Sequence, residues 1–120
     1  IFTRHLRHQK GTQEGIKAMG LSLFAKEEFG SPAITAVQPE NIDAENIRKS
    51  IKNDFDILLA GGQDHLKGKI FRIGHLGFVN DRDIISVIAA LESTLNKMGK
   101  LKSSTGKGIA KAIAVLNSEK

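Results

Sequence analysis

The chain has 120 residues, 40% of them hydrophobic, a net charge of +5 and no cysteine. That length suits one domain with a modest core. The missing thiols exclude disulfides, thiolate metal sites, iron–sulfur ligation and cysteine nucleophiles within this chain. No apolar run approaches the roughly 18 residues of a membrane-spanning helix. The first residues lack the pattern of a secretory signal peptide, so a cytoplasmic setting without a membrane partner is the expectation. The charge is unevenly spread. Residues 97–120 hold six lysines and one glutamate, whereas residues 1–96 hold twelve basic and twelve acidic residues. A neutral body with a basic tail, and no Trp or Tyr, is a poor match for a nucleic-acid-binding face, and no nucleic-acid partner is expected. The sequence opens on Ile1, already inside a helical pattern, and reads as a piece of a longer protein.

Residues 1 to about 19 read as an amphipathic helix with a thin stripe of Phe2, Leu6, Ile16 and Met19, stopped at Gly20. Gly11 and Gly15 each lower helix propensity by roughly 1 kcal/mol relative to Ala. The first half of this helix therefore needs a packing partner from outside the chain. His5 and His8 lie one turn apart, but with no carboxylate at helical spacing beside them they read as a solvated basic face. Leu21–Glu27 and Ala33–Gln38 are short strand candidates, the second closed by Pro39. Asp43 caps a second helix, with Ile42 and Ile47 at hydrophobic-staple spacing and Ile47, Ile51 and Phe55 along one face. Ile57–Ala60 reads as a short strand, and Gly61–Gly68 as a polar loop that leaves open whether it is a hairpin connection or a site.

The next strand, Lys69 to Gly74, alternates its faces. Phe71 and Ile73 point to the core, and Ile70 and Arg72 point away from it. A lone cation in an apolar strand needs a partner, because its guanidinium cannot lose its proton. Either an internal Asp or Glu pairs with Arg72, or a ligand carboxylate or phosphate does. A third helix starts at Asn80, with Val79 and Ile84 in staple positions, carries Ile84, Ile88, Leu91, Leu95 and Met98 in one stripe, and stops at Gly99. Ser103 to Gly108 has a glycine–lysine flavour without the spacing of a phosphate loop. Ile109, Ile113 and Leu116 then mark a short tail helix. The fold class read from this order is α+β: a small antiparallel sheet with helices on one face, in the order α-ββ-α-ββ-α plus a C-terminal tail helix. No catalytic set is complete, and no metal triad is visible.

The run Lys67-Gly68-Lys69-Ile70-Phe71-Arg72-Ile73-Gly74-His75-Leu76-Gly77 resembles the C-terminal small domain of class V pyridoxal-phosphate aminotransferases, of the alanine–glyoxylate and serine–pyruvate type. The likeness extends through Phe55-Asp56-Ile57, Gly61-Gly62 and Asn80-Asp81, and Gly106-Lys107-Gly108-Ile109-Ala110 is similar to the C-terminal extension of bacterial and cyanobacterial members. Some of those carry the name soluble hydrogenase small subunit, although a chain without cysteine offers no thiolate to nickel, iron or a cluster. The resemblance implies that Arg72 binds the substrate carboxylate. It also implies that pyridoxal 5'-phosphate, its Schiff-base lysine, its pyridine-facing Asp and its phosphate contacts belong to a missing N-terminal large domain. The substrates implied are a small amino acid (alanine or serine) and a 2-oxo acid (glyoxylate or pyruvate), turned over by a homodimeric full-length enzyme. Residues 1–20 then lead in from the large domain, 21–99 form the small domain, and 100–120 form a basic linker with a short docking helix. The fragment itself has no catalytic, cofactor or metal residue, and His75 has no assigned role. The alternative of a different class is a stand-alone α+β module that binds a small acidic ligand in a regulatory role.

Overall fold

The structure is a computed structural model that describes residues 2–24, 34–74 and 80–118. Helix α1 (Phe2–Ala18) leads into strands β1 (Ser22–Leu23) and β2 (Ile34–Gln38). Helix α2 (Ala44–Phe55), strand β3 (Ala60–Gly61), a 3₁₀ turn (Asp64–Leu66) and strand β4 (Phe71–Gly74) follow, then helices α3 (Asp81–Lys97) and α4 (Lys107–Ser118). The sheet is antiparallel in the order β1-β2-β4-β3. Each consecutive pair of strands forms a hairpin, and the two hairpins join through β2 and β4. The α+β class and the element order match the expectation from sequence.

The helix boundaries follow the local chemistry. Asp43 Oδ1 accepts from Glu45 N at 2.9 Å and starts α2. Asn80 and Asp83 form a reciprocal capping box at the start of α3. Gly20 adopts φ +94°, a left-handed conformation that stops α1 at little steric cost. Val79, the expected staple residue, and His75 lie outside the described residues, as does the connection between β1 and β2.

Val37, Phe71 and Ile73 from the sheet meet Ile16, Met19, Ile47, Ile51, Ile84, Ile88, Leu91 and Leu95 from α1, α2 and α3 in one core. Three expectations need correction here. Phe55 continues the α2 stripe in sequence, yet it is 43% exposed, at the last turn of a helix that Asp56 ends in a left-handed conformation. Ile70 is fully buried, not open. It sits just before β4, where the Gly61–Gly68 loop folds over it, and a Cβ on Gly62 would lie 2.9 Å from Ile70 Cγ1. His8 is buried, not solvated: its Nε2 lies 3.0 Å from Asp81 Oδ1. Arg7 grips the same carboxylate through two hydrogen bonds of 2.7 and 2.9 Å, which hold its guanidinium above its ordinary pKa. The carboxylate comes from α3, far away in sequence, so no helical spacing could reveal it.

The tail helix is the largest departure. α4 packs along α1 and against α3, with Ala112 and Leu116 fully inside the core. It supplies the partner that the first half of α1 needed, so that partner lies within this chain. The inward line is Gly108, Ala112 and Leu116. Ile113, expected in the stripe, is 37% exposed. Glycines in α1 explain the choice: a Cβ on Gly11 would stand 2.9 Å from Leu116 Cδ2, and one on Gly15 would stand 3.1 Å from the Gly108 carbonyl. Where the two backbones come closest, at Gly15 and Gly108, only small residues fit between them. Glu92, buried on α3, caps the newcomer by accepting from Gly106 N at 2.6 Å and Ile109 N at 2.7 Å.

Candidate functional site

Arg72 lies at the middle of the sheet face turned away from the core. In an antiparallel ladder, directly opposed residues share a face, and Arg72 is opposed by Ala36 on β2 and by Ala60 on β3. Methyl groups flank it on both sides, so nothing on the neighbouring strands crowds the guanidinium or offers it charge. Its Nε donates to the Gly61 carbonyl at 3.1 Å. Among the described residues Arg72 makes no ion pair with Asp or Glu. It lines a cleft of about 340 Å³ with Ile34, Leu58, Ala60, Ile73 and Gly74. Leu58, at the rim, is 78% exposed. The site therefore combines one half-buried cation with an apolar surround, a setting in which an anion gains more from the charge than it would in open water.

The strand position of Arg72 was legible from alternation. The supports around it were not. Arg48, on α2, donates from Nε to the Leu59 carbonyl at 2.8 Å and from Nη1 to Glu45 Oε1 at 2.6 Å. The pair lies directly over Gly61, where a Cβ would be 2.8 Å from Arg48 Nη1 and 2.8 Å from Glu45 Oε2. The far end of the loop is tied to the same helix start, since Ala44 N donates to the Gly68 carbonyl at 2.9 Å. Gly68 itself takes φ +82°. The i,i+3 spacing of Glu45 and Arg48 is the sequence signal for their pairing, but nothing in it points to Gly61.

The cleft contains no lysine and no carboxylate among its lining residues. No cluster of three or more metal-ligating side chains exists among the described residues. The lining of this cleft therefore does not fit pyridoxal phosphate, which needs an aldimine lysine and a group facing the pyridine nitrogen. No described helix is long and apolar enough to cross a membrane.

No family model matches the chain. Individual relatives do. A soluble hydrogenase small subunit from Synechococcus sp. (strain PCC 6716) is 54% identical over 98% of this chain and 30% of its own length. An uncharacterized aminotransferase from Methanocaldococcus jannaschii is 40% identical over 92% of this chain and 29% of its own. The crystal structure of ureidoglycine–glyoxylate aminotransferase from Bacillus subtilis superposes with a TM-score of 0.87 at 34% identity, covering 95% of this chain and 30% of that one. The chain thus spans about 30% of the length of the curated relatives it matches. Sequence and fold together define an aminotransferase portion. The chain belongs to the class V aminotransferases and corresponds to their C-terminal part.

Proposed function

We propose that this chain serves a transaminase that moves an amino group from a small amino acid, alanine or serine, to a 2-oxo acid, glyoxylate or pyruvate. In this reading Arg72 holds the substrate carboxylate. The observation that carries it is the pairing row Ala36–Arg72–Ala60: a cation set between two methyl groups, bonded once to main chain, with no carboxylate partner among the described residues. A structural arginine is normally neutralised by a neighbour. The relatives' names add support, since several are aminotransferases acting with glyoxylate or pyruvate.

Pyridoxal phosphate, with its lysine, belongs in this reading to a large N-terminal domain, and the full-length enzyme is a cytoplasmic homodimer. Residues 1–20 lead in from that domain. The exposed Leu58 at the cleft is apolar surface for the large domain to cover. The relatives' threefold greater length favours this reading over a stand-alone acidic-ligand module.

The test is Arg72→Ala and Arg72→Lys in the full-length enzyme. Removing the fork leaves a desolvated carboxylate unpaired, a cost of roughly 2–5 kcal/mol, or on the order of 30- to several-thousand-fold in kcat/KM. Arg72→Lys keeps the charge without the fork and recovers part of the loss. Melting temperature and cofactor binding stay near wild type. An Arg72→Ala protein that is destabilised yet fully active per folded molecule removes the assignment.

A further inference from the structure

The orientation of Arg72 depends on Gly61, whose carbonyl accepts from Nε. Gly61 belongs to β3, a two-residue edge strand with a single neighbour in the sheet. Such a strand has little stability of its own. Beside its ladder with β4, Arg48 holds it. The Nε bond to the Leu59 carbonyl ties the residue preceding β3 to α2, and the guanidinium, held by Glu45, lies against Gly61, where an added Cβ would come within 2.8 Å of Arg48 Nη1 and displace it. Glu45 Oε2 is buried without a hydrogen-bond partner. A buried acceptor left unsatisfied costs stability, so stability alone does not select this arrangement.

We propose that Arg48, fixed by Glu45, is a positioning residue for Arg72. It sets the height of the Leu59–Gly61 segment, and the Gly61 carbonyl then takes Arg72 Nε. With Nε occupied, the Nη1/Nη2 end of the fork is the end presented to a carboxylate. Arg48 touches no substrate and acts through main chain. The inference rests on the carboxylate-binding reading of Arg72, but its first test does not.

That test reads the Arg72 Nε–H resonance by ¹⁵N NMR in the 120-residue chain, in wild type and in Arg48→Met, Arg48→Lys and Glu45→Gln. Arg48→Met keeps the packing of the stem and loses both hydrogen bonds. The Arg72 resonance then shifts and its solvent exchange accelerates, while the amide spectra of α1 and α3 stay in place as the control for folding. Arg48→Lys restores charge without the Nε–H geometry and gives an intermediate shift. Glu45→Gln, the mildest change, moves the resonance in the same direction. An unchanged Arg72 Nε–H in Arg48→Met overturns the proposal, whatever Arg72 binds. In the full-length enzyme, Arg48→Met raises KM for the amino acid by up to about 100-fold, the scale of a misplacement near 1 Å, with kcat little changed. The effect vanishes in an Arg72→Ala background, where the group to be positioned is already gone. Full additivity of the two substitutions overturns the proposal. If Arg72→Ala alone leaves kinetics intact, the carboxylate reading fails, and the NMR result decides the positioning role by itself.

Discussion

At the scale of single residues, a half-buried carboxylate and a buried one do different work. Asp81 gathers Arg7 and His8 onto the start of α3, and Glu92 occupies the first turn of α4. The glycine–lysine run from Gly106 to Gly108 has the look of an anion loop for a physical reason: its amides are aimed at an anion, and the anion is an internal side chain. Glu92→Ala leaves two part-buried amides without an acceptor, each worth about 1–3 kcal/mol, so a loss of roughly 2–6 kcal/mol is expected in urea unfolding. Glu92→Gln keeps one acceptor oxygen and loses less. A Glu92→Ala protein within about 0.5 kcal/mol of wild type, the range of ordinary surface substitutions, would show that other groups take over the cap.

At the scale of elements, α4 changes the account of the whole tail. A helix joined to the body by a lysine-rich linker suggests an appendage, and deleting it would then leave residues 21–99 undisturbed. The structure puts Leu116 and Ala112 in the same core as Ile16, Met19 and Ile88. Deleting residues 101–120 strips the cover from Gly11 and Gly15 and removes from Glu92 the amides it accepts from. The expected result is a drop of at least about 10 °C in melting midpoint with a broadened transition, read by circular dichroism. A truncated chain that melts cooperatively at the full-length temperature would return α4 to the status of an accessory segment. The line Gly108–Ala112–Leu116 was hard to see because hydropathy favours Ile109 and Ile113. The inward positions are chosen by how closely two backbones approach, and hydropathy does not report that distance.

At the scale of the molecule, the chain is about a third of what its curated relatives are. Arg72 lines a cleft that has no lysine among its lining residues. The isolated chain, mixed with pyridoxal phosphate and alanine or serine, is therefore expected to give only the weak imine absorbance of surface lysines and no 2-oxo-acid product. A saturable, stoichiometric 1:1 imine with turnover would mean that the chain holds a complete site.

Capping residues and periodicity were enough to place α2 and α3, because Asp43, Asn80 and the isoleucine stripes act over a few residues of contiguous chain. Alternation alone placed Arg72 opposite Phe71 and Ile73 in face, since a strand can reverse its faces only by slipping register. Sequence likewise carried the family, through the run around Phe71-Arg72-Ile73-Gly74. The burial of Ile70 and His8, the role of Glu92, the partner of α1 and the Arg48–Gly61 contact all depend on residues brought together from distant parts of the chain. Those contacts depend on distances between elements, and only the packing of α4 into the α1–α3 groove and of the Gly61–Gly68 loop onto α2 sets those distances.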